Sequence, residues 1–425
     1  MLIFFYIIFI FLCSLIPLKG LAQQDTTGSS LFTRAVERFN AEDYNVAILL
    51  LDSALRKNPS MTRAYDYLGL SMAELGLCRQ ADGFFRQGLK RDSLNLSLLI
   101  HAAQTALICG YAFEAKSYYL RAIGADTFHT KAMLNVARIY QQESNYDSAL
   151  ILLERVIKLD SNSLVSHYLM GSIYGMIKKY DLAVQALNKA LKIHPTYLLA
   201  LKDLGWAYLQ LDSLMLATIS YKQALYLQPG NVALKIGLAY CYFKRKKYDD
   251  ALSLYKDAEI DPHILTSSMQ QGLCYFYLSK YDSALHKFEK ATAIDSTNSL
   301  AYFNLGLTHI ELKRFKSAIR NFESAIRHSR NNLISSAYDR IGASYYELKK
   351  KNASLGAYQR SVLESPLNAI AYYNMAVLYE NLFKDSLNAS RFYRMSLKLS
   401  EPTTDENSLY RKAKKRLAFL RKGRK

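Results

Sequence analysis

Small residues recur along the chain at a nearly constant spacing among larger apolar side chains. Ala35 and Gly69 stand 34 residues apart, and similar steps continue almost to the C-terminus. The other members of this first ladder are Ala103, Ala137, Gly171, Gly205, Ala239, Gly272, Gly306, Gly342 and Ala376. The ladder predicts eleven copies of one structural unit.

Two further ladders of small residues lie within most units. One begins at Ala47, 12 residues after Ala35, and the other begins at Ala54, seven residues further on. Seven residues make two helical turns, so both ladders share one face of a helix. Bulky residues such as Phe85 and Tyr221 lie between the ladders. We therefore expect helix pairs whose backbones approach closely over the small residues.

Charged residues and prolines divide each unit into two helices. Asp147 and Asp282 stand where second helices are predicted to begin, and an aspartate there can cap free backbone amides. Six prolines fall between the second helix of one unit and the first helix of the next: Pro59, Pro195, Pro229, Pro262, Pro366 and Pro402. A proline inside a helix would cost about 3 kcal/mol, so these positions mark connections.

This pattern resembles the tetratricopeptide repeat family. The sixth unit carries the likeness in Leu201, Leu204, Gly205, Tyr208, Ala217, Tyr221, Ala224 and Pro229. The resemblance covers about residues 28–402 and implies an all-α, right-handed superhelical α-solenoid of about eleven antiparallel helix pairs plus a C-terminal capping helix. Ser354 replaces a second-ladder alanine, and Asn388-Ala389 implies a one-residue insertion, so we expect the last two units to be looser.

The predicted domain organisation has three parts. Residues 1–22 form a signal peptide, residues 23–402 the repeat array, and residues 403–425 a basic capping helix and tail. The units are about 28–61, 62–95, 96–129, 130–163, 164–197, 198–231, 232–264, 265–298, 299–334, 335–368 and 369–402. An apolar stripe on the last helix, at Leu409, Ala413, Leu417 and Leu420, can cover the open core of the eleventh unit.

The N-terminus predicts export. Apart from Ser14, the first 16 residues are apolar, and Pro17 ends the run. Small residues then precede a cleavage point after Ala22. The expected location is the periplasm of a Gram-negative-type cell. Because Lys19 follows the apolar run and no cation precedes it, an uncleaved N-terminal membrane anchor remains the alternative.

The family resemblance also implies where a partner would bind. The first helices line a concave groove, whose residues in this chain include Tyr168, Lys202, Trp206, Tyr240, Phe243, Met269, Phe276, Tyr277, Phe303 and Ile310. The fourth unit offers polar residues instead, at Lys131, Asn135, Arg138 and Gln141. One interpretation is a groove for an extended or helical segment of a protein partner. The other is tight packing between neighbouring units.

Some family members hold a partner's C-terminal carboxylate with Lys, Asn and Arg side chains from successive units. Lys131 and Asn135 match in the fourth unit, but Asp66, Leu70 and His101 occupy the matching places before them. We therefore expect no such clamp.

The positive charge of the chain is concentrated at its C-terminus. The formal net charge is +19, and residues 411–425 hold nine Lys or Arg and no acid. The cations of the last helix are Arg411, Lys412, Lys414, Lys415, Arg416, Arg421 and Lys422. This tail can bind anionic lipid, polysaccharide or nucleic acid, although nucleic acid is not expected as the partner of an exported protein. The other interpretation is a solvated capping helix.

The sequence contains no motif that predicts catalysis. No CxxC, HExxH, GxSxG, GxxxxGK or GxGxxG motif occurs, so we expect no enzyme, no cofactor and no metal site. Cys78, Cys109, Cys241 and Cys274 follow the predicted signal, and we favour buried free thiols over disulfides for both neighbouring pairs.

The favoured function is therefore a non-catalytic scaffold or adaptor of the cell envelope, which binds a protein segment in the aromatic groove. The alternatives are an envelope tether that acts through the basic tail and a regulatory subunit of a separate enzyme.

Overall fold

The computed structural model describes residues 27–258, 265–329, 333–402, 405 and 408–422. The predicted signal peptide and Pro262 lie outside these residues. The described residues form helices joined by short turns and contain no β-strand, so the predicted all-α class is confirmed. They divide into two compact bodies, here called the N-terminal stack, up to Ala200, and the C-terminal stack, from Leu201.

Antiparallel helix pairs build both stacks. The N-terminal stack contains α1 (Gly28–Asn40), α2 (Tyr44–Lys57), α3 (Thr62–Glu74), α4 (Cys78–Arg91), α5 (Leu96–Ile108), α6 (Ala112–Ala125), α7 (Thr130–Gln142), α8 (Tyr146–Leu159), α9 (Leu164–Met176) and α10 (Tyr180–Ile193). Odd-numbered helices are the first helices of their pairs, and even-numbered helices are the second. First helices also contact the first helix of the next pair, as α3 contacts α5.

The boundary between the two stacks falls at the start of α11 (Leu198–Gln210). The C-terminal stack continues with α12 (Leu214–Leu227), α13 (Val232–Lys244), α14 (Tyr248–Asp257), α15 (Leu265–Tyr277), α16 (Tyr281–Ile294), α17 (Ser299–Glu311), α18 (Phe315–His328), α19 (Leu333–Glu347), α20 (Lys351–Glu364), α21 (Ala369–Leu378), α22 (Ser386–Leu399) and α23 (Leu409–Lys422). None of the described helices is both long and apolar enough to cross a membrane.

Close approach of the two helices in a pair explains the first ladder of small residues. A Cβ atom built on Gly306 would lie 2.6 Å from the ring of Phe322, which is fully buried in the partner helix. Gly272 has the same relation to Phe288, again at 2.6 Å. The ring of the second helix therefore occupies the space that a side chain of the first helix would need.

The two departures from the repeat are accommodated without a loose core. Ser354 is fully buried, and its hydroxyl donates a hydrogen bond of 2.8 Å to the carbonyl oxygen of Gly342. A π-helical turn over Tyr379–Phe383 follows α21 and takes up the inserted residue. Because Ala389 and Tyr393 beyond the turn are fully buried, the expected loosening is not seen at these positions.

The caps of the second helices differ from the prediction. Asp147 and Asp282 lie in the first helical turn, where a carboxylate suits the helix dipole, and not at the N-cap. The N-cap of α8 is Asn145, whose side chain accepts a hydrogen bond of 3.4 Å from the amide of Ser148. The N-cap of α16 is Lys280, which makes no such bond.

The last helix covers the end of the C-terminal stack, as predicted. In α23, Ala413 is fully buried and Leu417 nearly so. Arg416 forms an ion pair with Glu380 in the π-helical turn, and Tyr393 donates a hydrogen bond of 2.8 Å to the same carboxylate. These contacts fix α23 on the eleventh pair.

The close approach at Gly306 makes a stability prediction. We expect Gly306→Ala to lower the melting temperature, because overpacking a buried site costs about 1–3 kcal/mol. Gly356→Ala on α20 is the matched control, since a Cβ there would meet nothing within 4 Å. It should stabilise the helix by about 0.5–1 kcal/mol. Thermal melting followed by circular dichroism compares the two, and equal shifts would contradict the packing account.

Candidate functional site

Exposed aromatic side chains follow one another on three consecutive first helices of the C-terminal stack. Trp206 on α11 is 41% exposed, Tyr240 on α13 is 36% exposed, and Tyr277 on α15 is 52% exposed. Trp206 and Tyr240 occupy the same position in adjacent pairs, because they are 34 residues apart. We call these three residues the aromatic face. They offer apolar contact area to a partner.

Other predicted groove residues pack within the stack. Phe243 lies edge-on against Tyr248, with ring centroids 5.5 Å apart, and Phe276 has the same relation to Tyr281 at 5.7 Å. In both cases the residue near the end of a first helix packs on the first residue of the second helix. Phe243 also contacts Tyr277 at 5.6 Å and therefore supports one member of the aromatic face from behind.

The remaining apolar candidates are also packing residues. Phe303 is half-buried, with its ring centroid 5.3 Å from that of Phe322. Met269 is buried in the core of the C-terminal stack. In the N-terminal stack, Tyr168 is half-buried and lies 5.2 Å from Tyr197, centroid to centroid. The structure thus divides the predicted set into exposed aromatic residues and residues that pack within the stacks.

The predicted basic residues of the first helices are accessible. Lys131 and Arg138 are both exposed on α7 of the N-terminal stack. In the C-terminal stack, the Lys202 ammonium lies 3.3 Å from a carboxylate oxygen of Asp203. Beside the aromatic face, the ammonium of Lys244 lies 5.7 Å from the ring centroid of Tyr240, within range of a cation–π interaction.

A buried aspartate, Asp66, occupies the place where a carboxylate clamp would begin. Asp66 on α3 accepts a hydrogen bond of 2.9 Å from the hydroxyl of Ser97 and lies 2.8 Å from Nδ1 of His101, both on α5. The hydrogen bond to Asp66 raises the pKa of His101, and burial opposes this shift. A negative carboxylate at this place repels the terminal carboxylate of a peptide.

The cysteines require a correction. Cys78 and Cys109 form a disulfide with Cα atoms 6.0 Å apart, so the prediction of free thiols is wrong for this pair. The bond joins the start of α4 to the residue after α5. Cys241 and Cys274 are free and buried, as predicted. Burial raises the pKa of the Cys241 thiol to about 11 and that of Cys274 to about 12, which keeps both in the unreactive thiol form.

The basic tail combines fixed and accessible cations. Arg416 is paired with Glu380, so it anchors α23 and its charge is balanced by that carboxylate. Lys412, Lys414, Lys415 and Arg421 are exposed, while Arg411 is half-buried. Only the backbone of Lys422 is described. Among the described residues, no group of three or more His, Cys, Asp or Glu side chains lies together in a way that would hold a metal ion.

Family models identify the repeats. A model described as "Tetratricopeptide repeat" matches residues 130–163, 164–197 and 300–332, and one described as "TPR repeat" matches residues 272–313. A model described as "Anaphase-promoting complex, cyclosome, subunit 3" matches residues 217–291. The chain therefore contains tetratricopeptide repeats, a helical repeat fold that is typical of non-catalytic protein–protein interaction scaffolds.

One similar protein is the "TPR repeat-containing protein YpiA" of Bacillus subtilis (strain 168). It is 26% identical to this chain over 128 residues, which are 30% of this chain. The matched part of the chain also spans only 30% of the length of that relative.

Similar solved structures have low sequence identity to this chain. The APC/C hetero-tetramer Cut9-Hcn1 is 14% identical, with a TM-score of 0.46 and coverage of 94% of this chain and 98% of that chain. Yeast Tom70 is 12% identical, with a TM-score of 0.44 and coverage of 93% and 96%. YrrB, described as a TPR protein with an unusual peptide-binding site, is 22% identical, with a TM-score of 0.40 and coverage of 43% and 95%. Likenesses at these identities concern the fold alone.

The Asp66–His101 pair makes a pH prediction. Because the folded-state pKa of His101 is raised, its contribution to stability is complete below the ordinary pKa of about 6.5 and is lost as the pH rises through the raised value. We expect Asp66→Asn to lower the pKa of His101 and to remove this pH dependence. An NMR titration of the imidazole protons measures the pKa. The same pKa in both proteins would contradict the assignment.

Proposed function

We propose that this protein is an exported scaffold whose aromatic face holds a segment of another protein. The observation that carries the proposal is the succession of Trp206, Tyr240 and Tyr277 as exposed rings on consecutive first helices. Large aromatic anchors supply much of the energy of protein interfaces, and helical repeats offer such anchors at regular intervals. The tetratricopeptide repeats of the chain fit this role, and the role requires no catalytic step.

The proposed location is the cell envelope, with the periplasm favoured and an uncleaved N-terminal anchor as the alternative. The apolar N-terminal run motivates export. The disulfide between Cys78 and Cys109 supports it independently, because such bonds persist in oxidising compartments. The identity of the bound partner would distinguish a general adaptor from a regulatory subunit that positions a separate enzyme.

A second candidate function is attachment to an anionic envelope surface through α23. The observation that favours it is the exposure of Lys412, Lys414, Lys415 and Arg421 on a helix without acids. It stands second because Arg416 and the apolar stripe already give this helix a structural role in covering the C-terminal stack.

The aromatic face is tested by partner capture. The mature chain is crosslinked in its own cells, and captured proteins are identified by mass spectrometry. We expect Trp206→Ala with Tyr240→Ala to lose the specific partner at least about tenfold, since interface anchors contribute about 2 kcal/mol or more each. The melting temperature should change little, because both rings are partly exposed.

Phe243→Ala is a control for the melting temperature only, because its ring also contacts Tyr277 of the aromatic face. Its ring packs on Tyr248 and Tyr277, so it should lower the melting temperature more than the double variant does. Capture that survives in the Trp206→Ala, Tyr240→Ala protein would refute the binding role of the aromatic face. If capture disappears only after truncation near Pro402, or only in high salt, the basic tail and not the aromatic face binds the partner.

Export is tested by measuring which cysteines are free thiols in the chain isolated from its own cells. Alkylation under denaturing, non-reducing conditions should label Cys241 and Cys274 and spare Cys78 and Cys109. Cys13, which lies within the predicted signal peptide, should be absent after signal cleavage and present if the N-terminus is retained as an anchor. Full labelling of Cys78 and Cys109 in native material would contradict an oxidising location.

A further inference from the structure

The turns between the two helices of a pair carry a series of cations in the C-terminal stack. The N-cap residues of α14, α16, α18 and α20 are Lys247, Lys280, Arg314 and Lys350, and all four are exposed. None of them makes a side-chain capping bond. A cation at this position lacks the acceptor that a cap needs and opposes the helix dipole.

Other pairs show that the fold does not require these cations. Asp43 is the N-cap of α2, and its side chain accepts a hydrogen bond of 3.4 Å from the amide of Val46. Asp385 caps α22 with bonds of 3.0 Å from the amides of Leu387 and Asn388. The repeat therefore accepts an ordinary cap at the place where four successive pairs carry a cation.

The preceding turn residue adds a second unfavourable choice. Lys246, Lys313 and Lys349 precede three of the four N-cap cations, and Lys384 precedes the Asp385 cap of α22. All four lysines are exposed and have left-handed backbones, with φ between 56° and 59°. Gly76 stands at the equivalent place in the second pair, with φ 73°. Left-handed backbone favours glycine, so a lysine at this place costs stability. Local preferences are broken most often at functional or strained sites.

These turns follow one another along the C-terminal stack, and we call the four N-cap cations and the four left-handed lysines the cationic edge. The Lys280 ammonium lies 3.7 Å from Asp249 of the preceding pair, and a guanidinium nitrogen of Arg314 lies 3.8 Å from Asp282. Asn381 donates a hydrogen bond of 2.9 Å to the Tyr346 hydroxyl of the tenth pair. The eight cations of the edge outnumber these two aspartates, so the edge keeps a net positive charge.

The cationic edge borders the aromatic face. Tyr277 is the last residue of α15 and stacks on Tyr248, the first residue of α14, with ring centroids 4.9 Å apart. The Lys244 ammonium lies over the ring of Tyr240 at 5.7 Å. A segment held on the aromatic face therefore reaches the edge without a break.

We propose that the cationic edge binds an acidic stretch of the same protein segment that the aromatic face holds, a proposal that rests on the proposed function. Seven of the eight edge residues are lysine. Lysine acts as a compact point charge, whereas phosphate recognition favours the fork of arginine. Cations cover the aromatic rings beside the edge. The Lys349 ammonium lies 5.3 Å from the ring centroid of Tyr346, and the Lys350 ammonium lies 6.0 Å from that of Tyr345. They are therefore poorly placed to stack nucleic-acid bases.

The test uses the mature full-length chain and a fluorescent polyglutamate peptide. The edge variant is Lys247→Asn, Lys280→Asn, Arg314→Asn, Lys350→Asn. We expect its affinity for polyglutamate to fall on the order of tenfold or more. Its melting temperature should rise, because asparagine is a good N-cap. Loss of binding by a more stable protein cannot come from unfolding. A rise in melting temperature with unchanged affinity would overturn the proposal.

The control variant removes the same charge from second helices: Lys158→Gln, Lys189→Gln, Lys192→Gln, Lys398→Gln. It should keep the affinity for polyglutamate. If the control variant loses as much affinity as the edge variant, the binding depends on net charge alone, and the proposal is overturned. Phosphatidylglycerol vesicles and oligothymidylate are run as competing probes. If the edge variant loses either of these but retains polyglutamate, the proposed occupant is wrong.

The outcomes separate this proposal from the function on which it rests. Unchanged partner capture in the Trp206→Ala, Tyr240→Ala protein contradicts the aromatic face, whatever the polyglutamate result. Lost capture in that protein, together with unchanged polyglutamate affinity of the edge variant, overturns the cationic edge alone.

Discussion

The close approach of two helix backbones within each pair is the constraint on which the structure depends. At Gly306 and Gly272 the ring of the partner helix fills the space that a side chain would need. At Ala239 the buried contact between the two helices of a pair, here called the seam, holds only a methyl group. Because each pair buries this seam, the helices have fixed register and their outward residues have fixed positions. The period of 34 residues then repeats those positions from pair to pair.

Regular positions allow the surface to differ from pair to pair while the core stays constant. Trp206 and Tyr240 use one repeat position to expose rings, whereas Ala343 stands at the corresponding position of the tenth pair. The turns vary in the same way, from Gly76 in the second pair to Lys349 in the tenth. The scaffold thus carries a local chemistry on each pair without altering the packing beneath it.

The sequence predicted the fold because its decisive contacts are local. Gly306 meets Phe322 only 16 residues further along the chain, and this relation recurs in the ladders. It did not predict which aromatics are exposed, since that depends on neighbours: Phe243 is covered by Tyr248, five residues later. The Cys78–Cys109 bond was missed because it requires the geometry of two adjacent turns, which spacing alone does not supply.

The most direct test of the account is site-specific photocrosslinking in the native cells. A photocrosslinking amino acid in place of Tyr240 reports on the aromatic face, and one in place of Tyr226, which is 87% exposed on the second helix α12, reports on another surface. The account predicts one distinct protein adduct from position 240 and none from position 226. Adducts of equal yield from both positions, or an adduct from position 226 alone, would contradict it.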